Sequence, residues 1–268
     1  MSGQPPDTGM RAALTTLRVL ELVSELQPVG VSAVARASGI PKSSVQRCLV
    51  TLRQAGWLTQ STEDTHRWVL TGRALSIGMR GSTEKGLREA ALAVMQDLRD
   101  ETRETIHLLG FGEEHAPAPG IEPATDPALV VIDRLDGSEP VRTWVRLGTR
   151  VPLHATCAGL AVLARLPDAE VDRLLRGPLE RYSDHTIVDR NALATELRDV
   201  RERGYATADR SWRRGVGAVA AAVIDTAGQP VAALVISTPV QRFDAGRARV
   251  LGALVAAAAA RVSSALRL

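Results

Sequence analysis

A chain of 268 residues with 45% apolar content is long for one domain and rich enough for two hydrophobic cores, which excludes a disordered or fibrous protein. No run of eighteen uninterrupted apolar residues occurs and the opening Met1 to Asp7 lacks the features of a signal peptide, so a cytoplasmic globular protein with no membrane partner is expected. The net charge of +3 is unevenly placed: the first 80 residues hold nine Lys or Arg against five Asp or Glu, and the remainder 24 against 25, as for a nucleic-acid module fused to a neutral second domain.

In chain order, residues 1–10 read as a disordered polar tail. Leu14, Leu17, Leu20, Val23 and Leu26 then predict an amphipathic helix. Val31 to Ser38 predicts a second helix with Val34 inward, and Gly39 supplies the turn behind it. Pro41 opens a third helix, which runs to Ala55; a proline is tolerated there because a first-turn N–H has no helical partner. That helix places Val45, Cys48, Leu49 and Leu52 on one face and Lys42, Ser43, Gln46, Arg47 and Arg53 on the other. From Leu26 to Thr62 there are four basic residues, Arg36, Lys42, Arg47 and Arg53, and no carboxylate to repel a phosphate backbone.

Trp57 to Ser61 and His66 to Leu70 flank a polar turn and predict a hairpin, making residues 11–72 a winged helix-turn-helix with Arg67 on the wing. The expected partner is double-stranded DNA. Lys42 and Ser44 are placed to meet phosphates, and Gln46 and Arg47 to approach base edges, with Arg36, Ser43, Arg53 and Arg67 around them.

Residues 73–103 predict a connector helix, hinged at Gly78, Gly81 and Gly86, whose stripe of Leu87, Ala91, Val94 and Leu98 must pack on the second domain or on a sister chain. Residues 104–268 then mix strands and helices. The strand-like stretches are Thr105 to Phe111, Ala128 to Arg134, Pro140 to Leu147, Tyr205 to Ala208, Gly217 to Asp225 and Pro230 to Thr238. Helices are expected over Ala155 to Arg165, Asp168 to Arg176, Arg190 to Arg203 with Asp189 as cap and Gly204 as stop, and Ala245 to Leu268 with Asp244 as cap. The fold class is α+β in two domains, the second around a mostly antiparallel sheet. Between Gly112 and Pro127 a long loop rich in Pro and Ala is expected to be mobile.

Nothing in this pattern calls for catalysis, a cofactor or a metal. His66, His107, His115, His154 and His185 are scattered, and no paired His or Cys spacing is present. Cys48 and Cys157 sit on separate apolar faces as buried thiols, and His154 near Cys157 is read as a structural helix-start residue.

Gly39-Ile-Pro-Lys-Ser-Ser-Val-Gln-Arg47, Ala55-Gly-Trp-Leu58, the segment from Arg150 to Ala161 and Val231 to Pro239 together resemble the IclR family of bacterial transcription regulators. The resemblance runs from about Leu14 to the C-terminus. It implies a GAF-like effector-binding domain, a homodimer or dimer of dimers, and a palindromic operator bound as repressor or activator. It also brings Thr143, Val151, Thr156, Cys157, Ala158, Asp209, Trp212, Arg213, Ala218, Val235 and Ser237 to one effector site. Two departures stand out: Gly159-Leu160 where many members have Gly-Lys, and Arg213-Arg214 where a Glu pair is frequent. The site is therefore expected to take a small organic acid with an apolar or aromatic body, its acid group meeting Thr156, helix N–H groups or Arg213. The alternative is an enzyme or small-molecule-binding module that uses the helix-turn-helix for oligomerisation.

Overall fold

The computed structural model describes residues 10–78, 84–111 and 128–266, which form two compact units, one reaching Gly78 and the other beginning at Glu84. The polar tail before Met10, the hinge glycine Gly81, the Gly112 to Pro127 loop and the last two residues lie outside the described residues.

The first unit opens with α1 (Arg11–Leu26), β1 (Val29–Gly30), α2 (Val31–Ser38) and α3 (Lys42–Gln54). It continues with β2 (Leu58–Gln60), β3 (Arg67–Leu70) and α4 (Arg73–Gly78). Gly39 closes α2 at φ 69°, a left-handed conformation that glycine adopts without a Cβ penalty, and Pro41 is the N-cap of α3. Val45, Cys48, Leu49 and Leu52 of α3 are buried as their spacing requires.

In α1 the buried residues are Val19 and Val23, while Leu14, Leu17 and Leu26 are 39%, 52% and 43% exposed. The helix is apolar on more than one face, so periodicity offers two stripes. Packing on α2 and α3 selects the valine one, where the Thr16 hydroxyl donates to Cys48 Sγ at 3.5 Å. The hairpin gains a third strand unforeseen from the sequence: β1 pairs with β3 at Val29 and Trp68, too short a stretch to show alternation.

The second unit comprises α5 (Glu84–Thr102), β4 (Thr105–Phe111), β5 (Ala128–Leu135), β6 (Arg150–Pro152), α6 (Cys157–Leu163) and α7 (Asp168–Leu174). After these come α8 (Arg190–Arg203), β7 (Ala206–Asp209), β8 (Val216–Ile224), β9 (Pro230–Pro239) and α9 (Ala245–Ala265). Six strands in the order β6-β5-β4-β9-β8-β7 make one antiparallel sheet. Alternation divides it: Ile106, Leu108, Leu234 and Ile236 face α5 and α9, whereas Leu109, Val131, Ala218 and Val235 face the core built with α6, α7 and α8. A sheet covered on both faces explains the nearly continuous apolar runs of β8 and β9.

The connector stripe of Leu87, Ala91, Val94 and Leu98 is buried against this unit's own sheet and α9. It therefore leaves no apolar seam for a sister chain to cover. Among the described helices α9 is long and apolar enough to cross a membrane, but Leu251, Val255, Ala258, Ala259 and Val262 pack it onto the sheet and α5 as a core helix.

One strand expectation fails. Pro140 to Leu147 is not a strand; the sheet edge is instead Arg150–Pro152, paired with β5. Side chains satisfy the backbone of this segment: Val145 N–H donates to His107 Nε2 at 3.2 Å, and its carbonyl accepts from Arg134 at 3.2 Å. A stretch whose polar groups are met by side chains has no need of a ladder, although its alternating pattern is that of a strand.

Candidate functional site

On the α6 side of the sheet the core is incomplete. A cavity of about 80 Å³ lies between β4, β5, β8, β9, the start of α6 and two loops. Of the eleven expected residues, Thr143, Val151, Thr156, Cys157, Ala158, Trp212, Arg213, Ala218, Val235 and Ser237 line it. Asp209 does not; it holds Arg210 through paired hydrogen bonds of 2.9 Å, which keep its carboxylate below the usual range. His107, Leu109, Val131, Trp144, Val145, Ala208, Ser211 and Val216 line the cavity without having been singled out. Alternation along β4 puts His107 and Leu109 on one face, but only the register opposite β9, His107 against Val235 and Thr105 against Ser237, brings them here.

The polar groups of the cavity are few and specific. His107 Nε2 accepts the Val145 N–H, so the neutral ring carries its proton on Nδ1, which donates to Ser237 Oγ at 3.3 Å. That leaves the Ser237 hydroxyl proton free to donate into the cavity. Burial, reinforced by the nearby Arg134 and Arg213 charges, pushes His107 down to about 4, so the ring is neutral at physiological pH. Thr143 Oγ1 lines the same space and is the one buried side-chain polar atom among the described residues that has no partner.

The start of α6 is less open to a ligand than its sequence suggests. Thr156 caps the helix, its Oγ1 accepting from Gly159 N–H at 3.1 Å and donating to Pro152 O at 2.8 Å, so its hydroxyl is already occupied. Gly159 presses against the Leu153 backbone where no Cβ would fit, and Leu160 is buried in the core. A lysine following that glycine would have to enter an apolar interior, which accounts for leucine there. Burial pushes the Cys157 thiol up to about 12, far from a nucleophilic thiolate. His154 turns to the Glu180 carbonyl at 2.8 Å, a structural bond.

Among the described lining residues the one charged side chain, Arg213, is exposed at the mouth. Arg213 stacks on Trp212 at 4.4 Å and reaches the Trp144 carbonyl at 3.4 Å, while Arg134 and Arg146 flank the Trp144 ring at 5.3 and 5.8 Å. The loop carrying Trp212 and Arg213 is anchored from behind. Ser211 donates to Ala155 O at 2.9 Å, and Ser183 and Thr186 donate to the Arg210 and Ser211 carbonyls at 2.8 and 2.6 Å.

In the first unit, Lys42, Ser43, Gln46 and Arg47 stand exposed on one side of α3, with Ser44 half-buried and bonded to Arg47 at 3.4 Å. Arg36 on α2 is also exposed. Arg53 and Arg67 are partly committed: Arg53 lies 5.9 Å over the Trp68 ring, and Arg67 binds Asp64 and the Pro28 carbonyl, both at 3.1 Å. Arg67 makes these contacts with its side chain still 54% exposed on the wing.

The model of the IclR helix-turn-helix domain matches residues 13–62, and that of the bacterial transcriptional regulator IclR C-terminal domain matches residues 81–264. The transcriptional repressor IclR of Escherichia coli is 30% identical over 261 residues, covering 96% of this chain and 91% of the relative. The regulator KdgR of the same organism is 29% identical, covering 97% and 93%. Among solved structures, an IclR-type regulator from Alicyclobacillus acidocaldarius superposes with a TM-score of 0.80 at 22% identity, covering 97% of this chain and all of the other. The IclR homolog of Microbacterium hydrocarbonoxydans complexed with 4-hydroxybenzoate gives 0.76 at 23%, covering 95% and 98%. With both domain models spanning most of the chain in the order the fold shows, this protein belongs to the IclR family of DNA-binding transcriptional regulators, which are not enzymes.

Proposed function

We propose that the effector is a small organic acid whose apolar or aromatic body fills the cavity and whose carboxylate lies at the mouth beside Arg213. The observation that carries this reading is the division of the site: its interior offers aliphatic walls with the Ser237 hydroxyl and the unpartnered Thr143 Oγ1, and its cation stands at the rim. The acid group stays outside because Thr156 is occupied by its own helix and burying a carboxylate among aliphatic walls is costly. The 4-hydroxybenzoate held by the Microbacterium homolog is a ligand of this class. Calorimetry with aromatic acids, short keto acids and neutral analogues tests the assignment. Selective binding of an apolar acid that weakens in Arg213→Ala supports it, and binding of a sugar or a cation in its place overturns it.

The DNA contacts assigned to α3 follow the same logic. Arg47 and Gln46 read base edges and Lys42 and Ser44 hold phosphates, with Arg36 and Ser43 beside them and Arg53 and Arg67 stabilising the wing as much as meeting the backbone. The regulator acts in the cytoplasm as a homo-oligomer on a palindromic operator. Support for pairing comes from the exposed Leu14 and Leu17 of α1, not from the connector stripe. In gel shifts Arg47→Ala costs about 1 to 3 kcal/mol on the operator alone, while Lys42→Ala weakens all duplexes alike. Parent-like binding by both variants removes α3 from the role of reader. Effector binding changes operator affinity by the factor through which it prefers one arrangement of the DNA-binding domains.

A further inference from the structure

Outside the cavity mouth lies a second, open cleft of about 390 Å³, and the two share Thr143, Trp144, Arg213 and Val216 as a common wall. The cleft adds Arg142 and Arg146, so that its described lining residues include three arginines and no carboxylate. Two carboxylates just before this segment in the chain are engaged elsewhere: Asp136 pairs with Arg134 at 2.7 Å and Glu139 with Arg103 at 3.0 Å. Among the described residues no carboxylate forms an ion pair with Arg142, Arg146 or Arg213. Three arginines lining one cleft make it favourable for an anion. A single carboxylate offers two oxygens and one charge, enough for one fork, whereas a phosphate offers three oxygens and nearly two charges.

Resting on the effector reading above, we infer that the ligand is bipartite: an apolar group seated in the cavity and joined past Thr143 and Trp144 to a dianionic, phosphate-like head held by Arg142, Arg146 and Arg213. The effector class narrows accordingly from organic acids in general to phosphorylated or comparably multianionic molecules bearing a short apolar end. Trp144 forms the divide between the two compartments, its carbonyl already bonded to Arg213 and its ring flanked by Arg146.

The test uses the full chain and four probes, phenyl phosphate, benzoate, benzyl alcohol and inorganic phosphate, titrated calorimetrically at low and moderate salt. Phenyl phosphate is expected to bind about tenfold more tightly than benzoate at low salt, with the margin shrinking as salt screens the open cleft. Inorganic phosphate is expected to bind weakly and to compete with phenyl phosphate. In the doubly substituted Arg142→Ala/Arg146→Ala chain the margin is expected to disappear, phenyl phosphate losing far more affinity than benzoate, and an unchanged melting temperature shows that the fold survives. Equal affinities for phenyl phosphate and benzoate in the parent, or a margin that persists in the double variant, overturn the dianionic head and leave the cavity reading standing. Failure of all three aromatic probes to bind overturns both.

Discussion

The two faces of the six-stranded sheet are made from alternate residues of the same strands, yet one is solid and the other hollow. Toward α5 and α9, Ile106, Leu108, Leu234 and Ile236 are wholly buried under helices of 19 and 21 residues. Toward α6, the neighbouring positions are His107, Ala218, Val235 and Ser237, and the covering helix has seven residues. Backbone and register are common to both, so the difference is one of side-chain volume and cover. Small and polar residues on one parity of three adjacent strands, roofed by loops, create a binding space with no change in the sheet. Stability should accordingly be concentrated on one face and ligand response on the other.

The largest effect should fall on the solid face. Leu234→Ala removes a fully buried side chain between the sheet and its helices, and is expected to cost about 3 to 5 kcal/mol in urea unfolding. Its ligand affinity, measured on the folded fraction, should stay at the parent's value. Equal damage to stability and to binding would mean that the faces are not separable.

The hollow face carries its own stability term, and it depends on pH. His107 is held near 4 in the fold against 6.5 in the unfolded chain, so between those values the unfolded state binds more protons and stability rises with pH. The loss on acidification begins below about pH 6.5, amounts to about 3 kcal/mol and is complete near pH 4. Comparing unfolding midpoints of the parent and His107→Gln across that window isolates the contribution. A parent profile no steeper than the variant's would show that the ring is not buried neutral.

Ala218→Leu sharpens the comparison from the other side. Ala218 lies opposite Ser237 across the β8–β9 ladder and lines the cavity, so a longer side chain occupies the ligand's space. Affinity for any cavity ligand should fall by about 2 kcal/mol or more, with stability changed by less than about 1.5 kcal/mol. Unimpaired binding would place the ligand elsewhere.

The same contrast explains what the sequence made legible. Amphipathic stripes, Gly39 with Pro41, and the caps Asp189 and Asp244 with the stop at Gly204 are local signals, and each element forms where its signal stands. Of the eleven residues that the family resemblance brings to one site, ten line the cavity, because those segments converge through the fold. His107 was invisible since a lone histidine on a strand acquires meaning only from the register across β9, a contact 130 residues away in the chain. Pro140 to Leu147 failed for a related reason: its alternation is real, but long-range side-chain donors and acceptors meet its backbone where a neighbouring strand was expected. Of the α1 stripe, Val23 is buried and Leu20 packs on the core, but Leu14, Leu17 and Leu26 are exposed, because a helix apolar on two faces leaves the choice to its neighbours.

The smallest effect separates two adjacent residues of β9. Ile236 faces the solid core and Ser237 the cavity, one step apart on the strand. Ile236→Val should cost about 1 kcal/mol of stability and nothing in ligand affinity. Ser237→Ala has the opposite profile. It removes the hydroxyl that accepts from His107 Nδ1 and can donate to a bound oxygen, so a ligand with an acceptor at that point should lose about 1 kcal/mol, roughly fivefold in affinity. It also leaves the imidazole N–H without an acceptor, so its proton can shift to Nε2 only by giving up the Val145 N–H bond that holds the roof segment. The hydroxyl-bearing Ser237→Thr should retain the bond to His107 where Ser237→Ala does not, read as the imidazole tautomer in nitrogen NMR. An Ala variant with the parent's tautomer and affinity would show that Ser237 neither orients His107 nor meets the ligand, and the polar half of the cavity would have to be reassigned to Thr143.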